Sequence, residues 1–332
     1  MSDLEKTAIF QSGTETFLTH GGRDPNAQHG FVNTPVYRGS TVIFDTLAEL
    51  DDARIRYRYG RQGTPLTDGL EAMITELEGA AGTVLTPSGV SAISLAFLTC
   101  LSVGDEVLIT DSVYEPTRRF ADSVLKRMGI TTRYFDPRIG SGIADMTTER
   151  TRAVFMESPG SLTFEIQDLP AITEALSGRD IAVIVDNSWA TPLFYKPLSL
   201  GADIVIHSAT KMFVGHSDAM MGTVSANDAY LDRLVQTHRT FELAGWLERL
   251  GGIEVLHPAL PSHPDNHLFA RDFSGSGCLF SIVLPPAPRQ AIAAMVDPMT
   301  VFGMGYSWGG FESLILPSDP RRIRTAVPWE AR

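Results

Sequence analysis

Asp203-Ile204-Val205-Ile206-His207-Ser208-Ala209-Thr210-Lys211 is an apolar run that opens into small and hydroxylated residues and then a lysine. Consecutive β-branched residues favour an extended backbone, and an apolar run without polar alternation marks a strand buried on both faces. A second run of this kind, residues 181–185, ends at Asp186. Outward from these two the pattern repeats. Residues 83–86, 106–110, 131–135 and 153–156 read as short strands. Helical spacing separates them: Leu70, Met73, Ile74 and Leu77 share one face of 67–80, and further helices are predicted after Pro87-Ser88-Gly89 to about Leu101, over 116–128 with proline in the first turn, and over 168–176. Continuous apolar strands alternating with amphipathic helices predict an α/β fold, a mostly parallel central sheet with helices on both faces. Ligands of such sheets bind beyond the carboxyl ends of the strands. Ser88-Gly89, Asp186 and Ser208 to Lys211 all fall at such ends.

The flanks differ in character. Residues 1–58 lack periodicity, and Gly, Asn, Pro and His recur over 20–35, so this part reads as an irregular arm. Residues 59–244 hold the sheet domain. Three prolines and two histidines within 257–264 mark a connection, and strands are predicted at 279–284 and 311–316, giving a smaller α+β domain over 245–332.

The chain has 332 residues, 43% apolar and 20% charged, which supports a large core. Its net charge of −12 argues against nucleic acid or an anionic membrane as partner, since both need a basic face. Two cysteines, Cys100 and Cys278, are too few for a disulfide framework and fit a reducing compartment. The polar start and the lack of a long apolar span lead us to expect a cytoplasmic protein. Gly305-Tyr306-Ser307-Trp308-Gly309 matches the hydrolase nucleophile elbow, but that fold needs a later histidine and the last one here is His267. No dinucleotide fingerprint, Walker loop or metal-binding histidine pair is present in the sequence.

The remaining constellation does fit one chemistry. Only four lysines occur, and of Lys6, Lys126, Lys196 and Lys211 only the last follows a core strand. A lysine after a strand is by itself commonly a surface residue, and an aspartate at a strand end commonly a turn residue. Together they suggest pyridoxal phosphate, which needs a lysine for its Schiff base and an acid against its pyridinium nitrogen. Ser88-Gly89-Val90 has the form of a helix N-terminus that receives a phosphate, and Tyr114 follows a strand where a ring could stack on the cofactor.

At this point the sequence resembles a known family. Asp203 to Lys211, continued by Met212-Phe213-Val214-Gly215-His216-Ser217, is similar to the lysine signature of the Cys/Met-metabolism family of pyridoxal-phosphate enzymes, departing at Met212. Tyr59-Gly60-Arg61-Gln62-Gly63-Thr64-Pro65 resembles the family segment that reaches the neighbouring subunit's phosphate site. Gly305 to Gly310 resembles the version of a pocket motif found in the cystathionine β-lyase branch, where γ-acting relatives carry Leu for Trp.

The resemblance implies a fold-type I pyridoxal-phosphate transferase-like architecture and a set of roles. Lys211 bonds the cofactor and shuttles the proton, and Asp186 holds the pyridinium proton. Gly89, Val90, Ser208 and Thr210 bind the phosphate, joined by Tyr59 and Arg61 of a partner chain. Tyr114 stacks on the ring and takes part in catalysis. Tyr59, Ser307 and Trp308 line the substrate pocket, with core packing the alternative for Trp308. The implied reaction is β-elimination on cystathionine or a related cysteine S-conjugate, in methionine biosynthesis and transsulfuration. The implied assembly is a homodimer or homotetramer with shared sites. A γ-acting relative and a shortened non-catalytic protein of the same fold stay open as alternatives.

Two departures accompany the resemblance. Leu243-Ala244-Gly245-Trp246 follows Thr240-Phe241-Glu242 at once, where the family has a loop and the long helix joining its domains. No residue before Arg332 is assigned to the family's carboxylate-binding arginine, so 245–332 reads as an incomplete domain.

Overall fold

The computed structural model describes residues 13–247, 267–268, 271, 287–300, 302–306 and 314–319. Two compact units emerge: Met1–Pro35 with Pro65–Phe241, and Val36–Thr64 with Glu242–Arg332.

The first unit is built on seven strands: β1 (Gly82–Thr86), β2 (Glu106–Thr110), β3 (Thr131–Phe135), β4 (Thr151–Glu157), β5 (Ala182–Asp186), β6 (Ile204–His207) and β7 (Gly222–Ala226). Their order is β1-β7-β6-β5-β4-β2-β3. β3, β2, β4, β5 and β6 pair in parallel, while β7 runs antiparallel to both β6 and β1. The six strands read from the sequence are present, in the mostly parallel sheet expected. Successive residues of a strand face opposite sides, and here both sides are dry. Val107, Ile109, Phe155, Ile184, Ile204 and Ile206 pack with Ile93, Ala96 and Phe97 of the helix Gly89–Cys100. Leu108, Val154, Met156, Val183 and Val185 pack with Leu169, Ile172 and Leu176 of the helix Leu169–Leu176. Each fully buried aliphatic or aromatic side chain contributes roughly 1.5–3 kcal/mol. Cys100 belongs to the first of these clusters as a small buried thiol.

The helices begin where hydroxyl and carboxylate caps dictate. Ser88 Oγ accepts the Ser91 N–H at 3.1 Å and Asp168 Oδ1 accepts the Ala171 N–H at 3.1 Å. The single helix expected over 116–128 is instead α-helical over Glu115–Phe120 and π-helical over Ala121–Leu125. Ala121 and Leu125, four residues apart, are both buried, the same-face spacing that a helical period also foresees.

In the second unit, Phe44, Leu47, Leu50, Val296 and Met304 form a core. The helix Leu47–Asp51 is capped by Thr46 Oγ1, and its Leu47 N–H donates to Asp297 Oδ1 at 2.8 Å. Strands Gly303–Met304 and Leu314–Ile315 pair in parallel, the latter inside the predicted 311–316. The strand expected at 279–284 lies outside the described residues. Among the described residues no helix is long and apolar enough to cross a membrane, and no cluster of metal-ligating side chains occurs.

Candidate active site

Four parallel strands deliver their last residues to one edge of the sheet: β1 ends at Thr86, β4 at Glu157, β5 at Asp186 and β6 at His207. β7, running the other way, starts at that edge with Gly222. The helix Gly89–Cys100 also starts there, and the N–H groups of Gly89 and Val90 are in the first turn, where a helix cannot satisfy them internally. The approach is tight. A Cβ on Gly89 would lie 2.7 Å from both Cβ and Oγ of Ser208, and one on Gly222 would meet the Ser88 carbonyl oxygen. Only glycine allows the helix start, the end of β6 and the start of β7 to close into one cradle, a place where helix-terminal donors face an anion.

Asp186 is 8% exposed. Its Oδ1 accepts the Ser188 N–H at 3.0 Å, and Ser188 Oγ in turn accepts the Ser208 N–H at 2.6 Å, which ties the ends of β5 and β6 together. Burial pushes the Asp186 carboxyl above its ordinary range, against the Ser188 hydrogen bonds and the neighbouring His207, which favour the charged form. His207 is itself buried and paired with the buried Glu78 carboxylate from the helix Pro65–Glu78.

Lys211 is exposed in a turn in which its N–H donates to Ser208 O at 3.0 Å and its carbonyl accepts the Gly215 N–H at 2.8 Å. Thr210 Oγ1 accepts the Met221 N–H at 3.0 Å and donates to Met221 O at 3.0 Å. Tyr114 caps the helix Glu115–Phe120 with its side chain 46% exposed. Its N–H donates to Glu157 Oε2 at 2.7 Å.

Sequence reading thus placed Gly89, Val90, Tyr114, Asp186, Ser208 and Lys211 where the fold brings strand ends together. Two cavities share this region. One, of about 220 Å³, is lined by Glu157, Asp186, Ser188, Trp189 and the turn at Gly160 to Leu162. The other, of about 600 Å³, is lined by Thr210, Lys211, Met212, Gly215 and Met220. Asp186 lines the first and Lys211 the second. Tyr59 and Arg61 belong to the second unit, where the Arg61 guanidinium sits 5.7 Å from the Tyr59 ring centroid and Tyr59 bridges Thr41. Ser307 and Trp308 lie outside the described residues. The sequence reading missed Glu157, although it ends β4 just as Asp186 ends β5.

These residues suit pyridoxal phosphate on structural grounds: a glycine-tight anion cradle, a buried carboxylate, an exposed ring and a lysine in a turn after a core strand. A parallel sheet with this set at its carboxyl edge defines the class of fold-type I pyridoxal-phosphate enzymes. The sequence model of the family described as Cys/Met metabolism PLP-dependent enzyme matches residues 15–242 and 233–327, and the chain belongs to that family.

A Rhizobium johnstonii protein provisionally named as a cystathionine beta-lyase is 43% identical over 94% of this chain and 88% of its own. The cystathionine beta-lyase MetC of Escherichia coli is 37% identical over 95% of this chain and 90% of its own. The structure of a cystathionine gamma synthase from Xanthomonas oryzae pv. oryzae, in complex with aminoacrylate and cysteine, superposes with a TM-score of 0.64 at 28% identity, covering 93% of this chain and 86% of that one.

The matches also show that this chain is shorter than its relatives over the aligned span. The Rhizobium alignment spans 349 positions, whereas 94% of 332 residues supplies about 312, so about 37 positions have no counterpart here. The two family-model matches meet at 233–242, within the continuous helix Asp228–Leu247.

Proposed function

We propose that this chain is a pyridoxal-phosphate-dependent carbon–sulfur lyase that performs β-elimination on cystathionine or a related cysteine S-conjugate, releasing homocysteine or another thiol, pyruvate and ammonia. The observation that carries this reading is the convergence of the Gly89 cradle, Asp186 and the Lys211 turn on one sheet edge in a chain 37% identical to a bacterial β-lyase.

When bound, the cofactor supplies an electron sink for the carbanion formed at the substrate Cα. The chain's residues do the rest. The Lys211 amine takes the Cα proton. The Asp186 carboxylate, held by the Ser188 N–H, keeps a proton on the pyridinium nitrogen. Gly89 and Val90 present N–H groups to the phosphate, and Ser208 adds a hydroxyl. Thr210, whose hydroxyl donates to Met221 O and accepts the Met221 N–H, would have to exchange the first of these bonds to donate to the same anion. Tyr114 offers a ring face, while Tyr59 and Arg61 serve the phosphate site of a neighbouring copy, and Tyr59, Ser307 and Trp308 line the substrate pocket. The active species is a homodimer or homotetramer in the cytoplasm. Exposed Leu162, Phe164 and Trp189, which line one cavity, support a covered interface, since apolar side chains clustered at a surface mark contact sites.

The test is the absorbance of the purified protein with and without pyridoxal phosphate, followed by product analysis with cystathionine. Pyruvate and homocysteine support the reading; 2-oxobutyrate instead assigns a γ-acting relative. A second reading, a shortened chain that holds the cofactor without turnover, is favoured by the roughly 37 aligned positions without a counterpart in this chain. Cofactor absorbance with no product from any thioether would establish it.

A further inference from the structure

Glu157 has no part in the reading above, yet it stands at its centre. Directly paired residues on adjacent parallel strands project to the same face, and Glu157 pairs with Asp186. Two carboxyl groups are thus set side by side at the edge where the cofactor's ring nitrogen is expected. Glu157 also reaches across to β2's end, where its Oε2 accepts the Tyr114 N–H at 2.7 Å. One side chain therefore bonds the ring-stacking residue and stands beside the pyridinium partner in register.

We propose that Glu157 is a positioning residue of the site, anchoring Tyr114 through its backbone N–H and holding a proton beside Asp186 that leaves when the cofactor's cationic ring arrives. This rests on the pyridoxal-phosphate reading given above. Two neighbouring carboxylates in a partly dry site cannot both ionise cheaply. Burial, and then the Asp186 charge, push the Glu157 carboxyl up to about 8, against the opposing hydrogen bond from Tyr114. The groups facing it are consistent with this. Asp186 comes from β5, and Tyr114 contributes an N–H from the loop after β2. The other cavity-lining residues, Pro159 to Leu162, Phe164, Ser188 and Trp189, carry no charge. Asp186 is additionally faced by His207, which is paired with Glu78. A positive ring nitrogen beside Asp186 removes much of the reason for Glu157 to stay neutral, so cofactor binding and proton release are linked.

The wild type, Glu157→Gln and Glu157→Ala are compared as full chains. Calorimetric titration of pyridoxal phosphate at pH 7, in buffers of different ionisation enthalpy, counts protons. The wild type is expected to release more than Glu157→Gln, by up to about one proton per site. Visible circular dichroism of the bound cofactor reports the Tyr114 ring. It is expected to persist in Glu157→Gln, whose amide oxygen still accepts the N–H, and to fall at least about twofold in Glu157→Ala. In the cofactor-free protein, the Glu157 carboxyl carbon should titrate well above the ordinary range by NMR. Equal proton release in wild type and Glu157→Gln, unchanged dichroism in Glu157→Ala, or an ordinary titration midpoint overturns the assignment. A wild type that takes up no cofactor overturns the functional reading instead, and the NMR midpoint still decides the carboxyl pairing.

Discussion

Gly89→Ala should damage both the fold and the cofactor cradle. The added methyl would sit 2.7 Å from Ser208 Cβ and Oγ and 3.1 Å from Ser208 Cα, closer than carbon atoms tolerate. Neither neighbour is the free end of a flexible side chain, so the helix Gly89–Cys100 must retreat from β6 or strain in place. Overpacking of this kind costs about 1–3 kcal/mol, and loss of glycine freedom in the unfolded chain returns about 0.4–1 kcal/mol. The net loss is then on the order of 1–2 kcal/mol. The same retreat moves the Gly89 and Val90 N–H groups from the phosphate. A charge-assisted hydrogen bond contributes about 1.5–3 kcal/mol, so cofactor affinity should fall roughly 10- to 100-fold. Urea denaturation reads the first effect and fluorescence titration with pyridoxal phosphate the second. Ser208→Gly in the same chain reopens the space, and the double variant should recover most of the stability lost by Gly89→Ala. Wild-type stability and affinity in Gly89→Ala, or no coupling with Ser208→Gly, would refute the cradle.

Further outcomes can be checked in parallel. Lys211→Ala should lose turnover and the visible absorbance of lysine-bound cofactor, because no other lysine follows a core strand; a variant that keeps both sinks the assignment. Asp186→Ala should retain phosphate binding while its rate drops by at least about tenfold, on the logic that the electron sink needs the ring-nitrogen proton; near-normal turnover tells against its role. Inactive Arg61→Ala and inactive Lys211→Ala chains, mixed under conditions of proven subunit exchange, should regain activity, and no recovery places Arg61 outside the neighbour's site. For cofactor-free protein, the Glu157 carboxyl binds its proton more tightly folded than unfolded. Its stabilising contribution is therefore full below the ordinary carboxylate range and is lost as pH rises to about 8. The loss has a limiting slope of about 1.4 kcal/mol per pH unit that Glu157→Gln should lack, and equal slopes in urea titrations would defeat it.

Six of the seven strands were legible, most of them because they are written as apolar runs that water cannot share. β7 was not, since Gly222-Thr223-Val224-Ser225-Ala226 has one large apolar residue. Its Ser225 hydroxyl is buried against Thr83 Oγ1 at 2.8 Å, so hydrogen bonding, not hydrophobic patterning, makes it a core strand. The grouping of residues 36–64 with the carboxy-terminal unit was equally hidden. It depends on contacts distant in sequence, such as Leu47 with Asp297 and Asp51 with Arg289, for which a local pattern carries no signal. In the site, Asp186 and Lys211 could be read because each ends an uninterrupted run. Glu157 could have been found by asking which other strand end carries a carboxylate. Its meaning comes only from register, which sets it beside Asp186.

The lone antiparallel strand imposes an order on how the molecule is made. β1 can pair only with β7, Gly82 with Ala226 and Thr86 with Gly222, while β2 to β6 can pair among themselves as they are synthesised. At about 5–20 residues per second, β1 waits roughly 7–30 seconds for its partner to leave the ribosome. The helix start at Gly89 stays unseated for the same interval, since Ser208 and Gly222 close the cradle around it. A nascent chain therefore has no place for an anion until two-thirds of it exists, and cofactor capture becomes a late checkpoint on a nearly finished fold.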